Sequence, residues 1–134
     1  MSVSQMIGKT MVSVKQIDND RIEFVDTEGV EYALYHQQDC CESVYIEDVV
    51  GDLQHLVNAP LYMAEEVYSS DEPKTNVTGD YSYTDESHTW TFYKFATVHG
   101  YVTIRFYGSS NGYYGETANL YINGDRVYED ARTN

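Results

Sequence analysis

Residues 101–107 read Tyr-Val-Thr-Ile-Arg-Phe-Tyr, and this stretch narrows the fold further than any other. Val102, Ile104 and Phe106 alternate with Tyr101, Thr103, Arg105 and Tyr107. An extended chain sends the first set to one side and the second to the other, whereas a helix would scatter both around its circumference. The residue types agree, because β-branched and aromatic side chains suit a pleated, half-buried surface. The chain holds 14 Tyr, 4 Phe and 1 Trp in 134 residues. Leu120 and Ile122 repeat the alternation, and Asn123-Gly124 after them is a tight-turn dipeptide.

The same period recurs from the start of the chain. Val12 and Val14 are expected on one face of the run Met11 to Ile17, and Asp18-Asn19-Asp20 then reads as a turn. Ile22 and Phe24 alternate with Arg21 and Glu23. After Gly29, the residues Val30, Tyr32, Leu34 and His36 oppose Glu31, Ala33 and Tyr35. Three such runs with short turns predict an antiparallel meander. Ser43 to Ile46 reads as a short strand. Glu47-Asp48 ahead of Val49, Val50, Leu53, Leu56 and Val57 predicts a short helix with one apolar face, ended by Asn58 and Pro60. Leu61 to Val67 resumes as a strand, Tyr68 to His88 reads as a loop with a small hairpin through Tyr81 and Tyr83, and Thr89 to Thr97 reads as a further strand. Gly108 to Gly115 reads as a connection between strands. The expected fold is α+β: mostly antiparallel β-sheet built of meander hairpins, with one short helix packed on a sheet face, in a single domain spanning 1–134.

Charge bounds the partners. Asp and Glu total 22 against 8 Lys and Arg, for a net charge of -14. The excess is concentrated in residues 37–93, where twelve acidic groups face Lys74 alone. Such a field repels nucleic acid and anionic lipid and attracts basic protein surfaces. No apolar run approaches a membrane span of about 20 residues, and Met1 to Thr10 lacks the pattern of a secretory signal. Cys40 and Cys41 are adjacent, a spacing poorly suited to a disulfide framework, so cytosolic thiols are expected.

Three groups of residues could carry a function. The acidic residues Glu42, Glu47, Asp48, Asp52, Glu65 and Glu66 could form a docking face for a basic partner, or simply a solvated surface. His36, Asp39, Cys40 and Cys41 mix donor types that bind transition metals. Against that, side chains of neighbouring residues in an extended segment point to opposite faces. A cysteine–histidine nucleophile is disfavoured by the absence of a glycine-rich oxyanion loop beside it. Asn111, Tyr113 and Tyr114 sit in a glycine-rich loop that could hold a small ligand or serve only as a connection. That loop lacks the lysine of a phosphate-binding loop. No cofactor is expected, nor direct nucleic-acid binding.

Several segments together resemble a known family: His36 to Glu42, Gly51-Asp52-Leu53, Ala64-Glu65-Glu66, Thr89 to Lys94, Thr103 to Gly108, and Ser110 to Tyr114. They are similar to small proteins of unknown function found in bacteriophages and prophages, over about residues 36 to 122. The resemblance implies a phage-borne protein acting in a bacterial cytoplasm. It carries no activity, so the leading expectation is a non-enzymatic acidic protein that docks on a basic protein surface. Such a partner could be a host nucleic-acid or defence enzyme. The alternatives are a small-molecule or metal-binding domain centred on His36, Cys40 and Cys41 with the Tyr113-Tyr114 loop, and a virion or assembly component.

Overall fold

A computed structural model describes residues 3–38, 41–69, 87–110 and 116–127. The described strands are β1 Met11–Ile17, β2 Arg21–Asp26, β3 Glu31–Tyr35, β4 Ser43–Val50, β5 Met63–Ser69, β6 Ser87–Thr97, β7 Gly100–Ser110, β8 Asn119–Ile122 and β9 Asp125–Arg126. They form two antiparallel sheets, one ordered β1-β2-β3-β8-β9 and the other β4-β7-β6-β5. The expected meander is the first half of the first sheet.

The alternation that opened the sequence reading holds in β7, where Val102, Ile104 and Phe106 are buried and their neighbours face outward. Tyr93 and Phe95 of β6 supply the adjoining row of the same inner face. Ile22, Phe24, Tyr32, Leu34 and Leu120 supply the inner face of the first sheet. The faces meet at Phe24 and Phe95, whose ring centroids lie 5.3 Å apart. Each side chain of this size contributes roughly 1.5–3 kcal/mol when fully buried. Val3 and Met6, in a short 3-10 turn, are buried in the same core. Asn123 and Gly124 both take positive φ, 52 and 89, the geometry of a tight hairpin turn between β8 and β9.

Two expectations fail for local reasons. The short helix is absent among the described residues. Val49 and Val50 continue β4, and only Leu53–Leu56 coils, as a 3-10 turn with Asp52 capping the Gln54 amide at 2.9 Å. Gly51 separates the two pieces at φ 103, where a Cβ would stand 2.5 Å from the Tyr101 carbonyl oxygen. The helical spacing of Val49, Leu53 and Leu56 is therefore divided between a strand and a turn. The second failure is Val12. The β1–β2 register shifts between Met11 and Ser13, so Val14 stays buried while Val12 turns out to 50% exposure.

Candidate functional site

The outer face of the β4-β7-β6-β5 sheet carries a row of rings. Tyr107 of β7 stands opposite Tyr45 on β4 and opposite Trp90 on β6. The cross-strand register therefore lines three aromatic side chains across three strands. Tyr107 lies 5.7 Å from Tyr45, 4.6 Å from Trp90 and 5.6 Å from His88, centroid to centroid. The His88 ring nitrogen Nδ1 meets the Tyr107 hydroxyl. All four side chains are half-buried rather than covered. Alternation accounts for this: the strands commit every second residue to the core, and the remaining positions happen to be aromatic.

Arg105 joins this row to a group of carboxylates. Its guanidinium carbon lies 5.4 Å from the Trp90 ring centroid. Its Nε stands 2.7 Å from Glu47 Oε1, an ion pair whose N–H misses hydrogen-bond alignment, and its Nη2 stands 3.7 Å from Asp48. Glu47 is the extra residue of a bulge in β4, which is why both it and Asp48 reach solvent. The β1–β2 turn is held against this place, because the Ile46 amide donates to the Asn19 carbonyl at 2.7 Å. Asp18, Asp20, Glu47 and Asp48, all exposed, lie within two positions of that hydrogen bond. Asp18 and Asp20 had signalled only a turn in the sequence. Nothing local to either segment reveals that the turn closes on β4.

The remaining acidic candidates do not join this group. Glu65 is exposed on β5, at the opposite edge of the sheet, paired in register with Lys94. Glu66 is buried and accepts a hydrogen bond from the Tyr68 hydroxyl at 2.7 Å. Asp52 is occupied as a cap. Glu42 is buried too, with its carboxylate 2.6 Å from His36 Nε2. The structure therefore does not gather the six residues on one exposed face, and Glu47 with Asp48 is the part that is accessible as a pair.

His36 is fully committed. Its Nδ1 faces the Thr117 carbonyl at 3.0 Å, and the Gln38 amide donates to the Glu42 carbonyl. These contacts tie the passage from β3 to β4 against the segment leading into β8. Cys41 is disulfide-bonded, which corrects the expectation of a free thiol there. Asp39 and Cys40 lie outside the described residues, as do Asn111, Tyr113 and Tyr114. Among the described residues no three His, Cys, Asp or Glu side chains converge as a metal centre would require.

Two further buried carboxylates serve the fold. Glu116 accepts from Thr89 Oγ1 at 2.8 Å and Ser110 Oγ at 2.6 Å, and its backbone lies directly on Gly108. Asp26 accepts from the Glu28 and Val30 amides and the Tyr32 hydroxyl, each at 2.9 Å. Burial works to raise the Asp26 pKa, but the Val30 amide, the Tyr32 hydroxyl, the Glu28 amide and the Lys9 charge outweigh it and hold it below the usual value. Burial, with Asp26 as hydrogen-bond partner and charge, pushes the Tyr32 phenol up to about 12.

Comparison with known proteins adds a family and no activity. Neither a curated protein nor a solved structure matches this chain. A model for a domain of unknown function, DUF7448, matches residues 4–120 and so takes in the N-terminal meander that the phage resemblance left out. On that match the chain belongs to the DUF7448 family.

Proposed function

We propose that this chain is a non-enzymatic binding protein that docks on a basic protein surface, using the aromatic row of the second sheet together with the carboxylates beside it. The observation that carries the reading is the juxtaposition of Tyr45, Tyr107 and Trp90 with exposed Asp18, Asp20, Glu47 and Asp48. Tyrosine, tryptophan and arginine are the side chains that anchor protein interfaces, and charges at the rim set encounter rate and partner choice. A net charge of -14 supplies long-range attraction to a lysine- and arginine-rich partner and repels nucleic acid. The context suggested by the phage resemblance is a bacterial cytoplasm, where a nucleic-acid or defence enzyme presents such a basic surface.

Affinity capture from bacterial lysate tests this when wild type is compared with two variants at low and high salt. One variant is Trp90→Ala with Tyr107→Ala, and the other converts Asp18, Asp20, Glu47 and Asp48 to their amides. A basic protein retained by wild type, released by salt and lost from both folded variants is the expected result. Equal recovery by wild type and both variants would remove the proposed surface from consideration.

A further inference from the structure

The outer face of the first sheet carries a second, separate feature. Ala33 sits in the middle of β3, between Glu23 of β2 and Tyr121 of β8 in the cross-strand register. A methyl group among long neighbours leaves a hollow, and here it opens to about 370 Å³. That size falls within the range of small-molecule sites. Val25 and Ala33 line it as apolar groups. One wall is rigid: Tyr35 and Tyr121 stack at 4.1 Å and 18°, and the Arg21 guanidinium lies 3.9 Å from the Tyr35 centroid. Arg21 is further held by Asp20 at 3.2 Å and Glu23 at 3.7 Å.

Two charged groups of this hollow are not committed. Lys15 on β1 and the carboxylate of Glu31 on β3 have no ion-pair or side-chain hydrogen-bond partner among the described residues. Lys15 is in register with Glu23 and hence with Ala33, while Glu31 lies two residues along β3 from Ala33. Two strand spacings and two residues of rise set their backbones roughly 12 Å apart. The cation and the anion therefore stand across the floor from each other, over Val25 and beside Glu23, whose carboxylate is turned to Arg21.

We propose that this hollow binds a small ω-amino acid, a zwitterion whose two charges are separated by an apolar chain, with its carboxylate at Lys15, its ammonium at Glu31 and its chain on Val25 and Ala33 against the tyrosine wall. The charge pattern selects this class. A simple anion meets the repulsion of the whole chain, and a simple cation finds many other carboxylates on its surface. A molecule carrying both charges gains at this place in particular.

The test uses three probes of similar shape: 6-aminohexanoate, hexylamine and hexanoate, followed by calorimetry and by amide NMR shifts. 6-Aminohexanoate is expected to shift β1, β2 and β3 amides saturably at millimolar concentration. The two singly charged analogues are expected to bind at least about tenfold more weakly. Lys15→Met and Glu31→Gln should each weaken 6-aminohexanoate binding by a similar factor, and Ala33→Leu should abolish it by filling the hollow. The circular dichroism spectra should be unchanged, since these positions face outward. Absence of binding by 6-aminohexanoate, equal binding of the three probes, or indifference to both Lys15→Met and Glu31→Gln would overturn the proposal.

Discussion

His36 and Glu42 close on each other at 2.6 Å, with the carboxylate wholly buried and the imidazole nearly so. The Thr117 carbonyl can only accept a hydrogen bond, so the His36 nitrogen Nδ1 facing it carries hydrogen. Nε2 faces the carboxylate, so the two side chains form one buried pair. Removing either partner strands a polar group in the interior. His36→Ala is expected to cost about 3–5 kcal/mol, as broken buried pairs do. Glu42→Ala should be comparably costly, and the double variant should cost clearly less than the sum. Urea denaturation of all four proteins measures this. Strictly additive losses would mean that the two residues do not act as a pair.

Gly108 is the second sensitive point. A Cβ there would stand 2.0 Å from the Glu116 carbonyl oxygen and 2.9 Å from its carbon. Neither backbone atom can move without disturbing the bonds from Thr89 and Ser110 to the Glu116 carboxylate. Gly108→Ala is therefore expected to destabilise by about 3 kcal/mol, at the upper end of ordinary overpacking. Thermal denaturation reads it, and an unchanged midpoint would contradict the close approach.

Thr91 offers the opposite case. It is fully buried, and its hydroxyl has no hydrogen-bond partner among the described residues. An unsatisfied buried hydroxyl costs about 1–3 kcal/mol, so an apolar isostere removes a penalty. Thr91→Val is expected to raise stability by about 1 kcal/mol, or at worst leave it unchanged. A clear loss would show that the hydroxyl is satisfied after all.

The pair Asp26 and Tyr32 predicts how stability follows pH at both ends of the scale. The Asp26 pKa is lowered from 3.8 in the folded chain, so its contribution is present above that value and is lost as pH falls through the depressed one. The phenol of Tyr32 is raised from 10.0 to about 12, so its contribution is complete below pH 10.0 and is lost as pH rises towards 12. Tyr32→Phe should flatten the alkaline limb, and Asp26→Asn the acid limb, in denaturation midpoints taken across pH.

Much of the strand pattern was legible because burial repeats every second residue in β2, β3 and β7. The failures came where a single residue broke a period. Gly51 divided an apparent helical face, and the irregular register after Met11 turned Val12 outward. The site was less legible for a different reason. Acidic residues are expected at the surface, yet Glu42, Glu66, Glu116 and Asp26 are buried. What makes that tolerable is a set of polar partners that the fold turns onto them: His36 for Glu42, Thr89 for Glu116, and the β2–β3 turn for Asp26. Composition and spacing carry no record of such partners. The closure of Asn19 on Ile46, which gathers the exposed carboxylates, is invisible for the same reason.

The contact between His36 and the Thr117 carbonyl spans 81 positions of chain. A link of that separation gains nothing until β8 has paired with β3, because loop closure must be met before the contact rewards it. It therefore belongs to the late, downhill side of assembly. Weakening it should leave the refolding rate almost untouched and hasten escape from the native state. The lifetime of the folded molecule, more than the speed with which it forms, is governed at this seam.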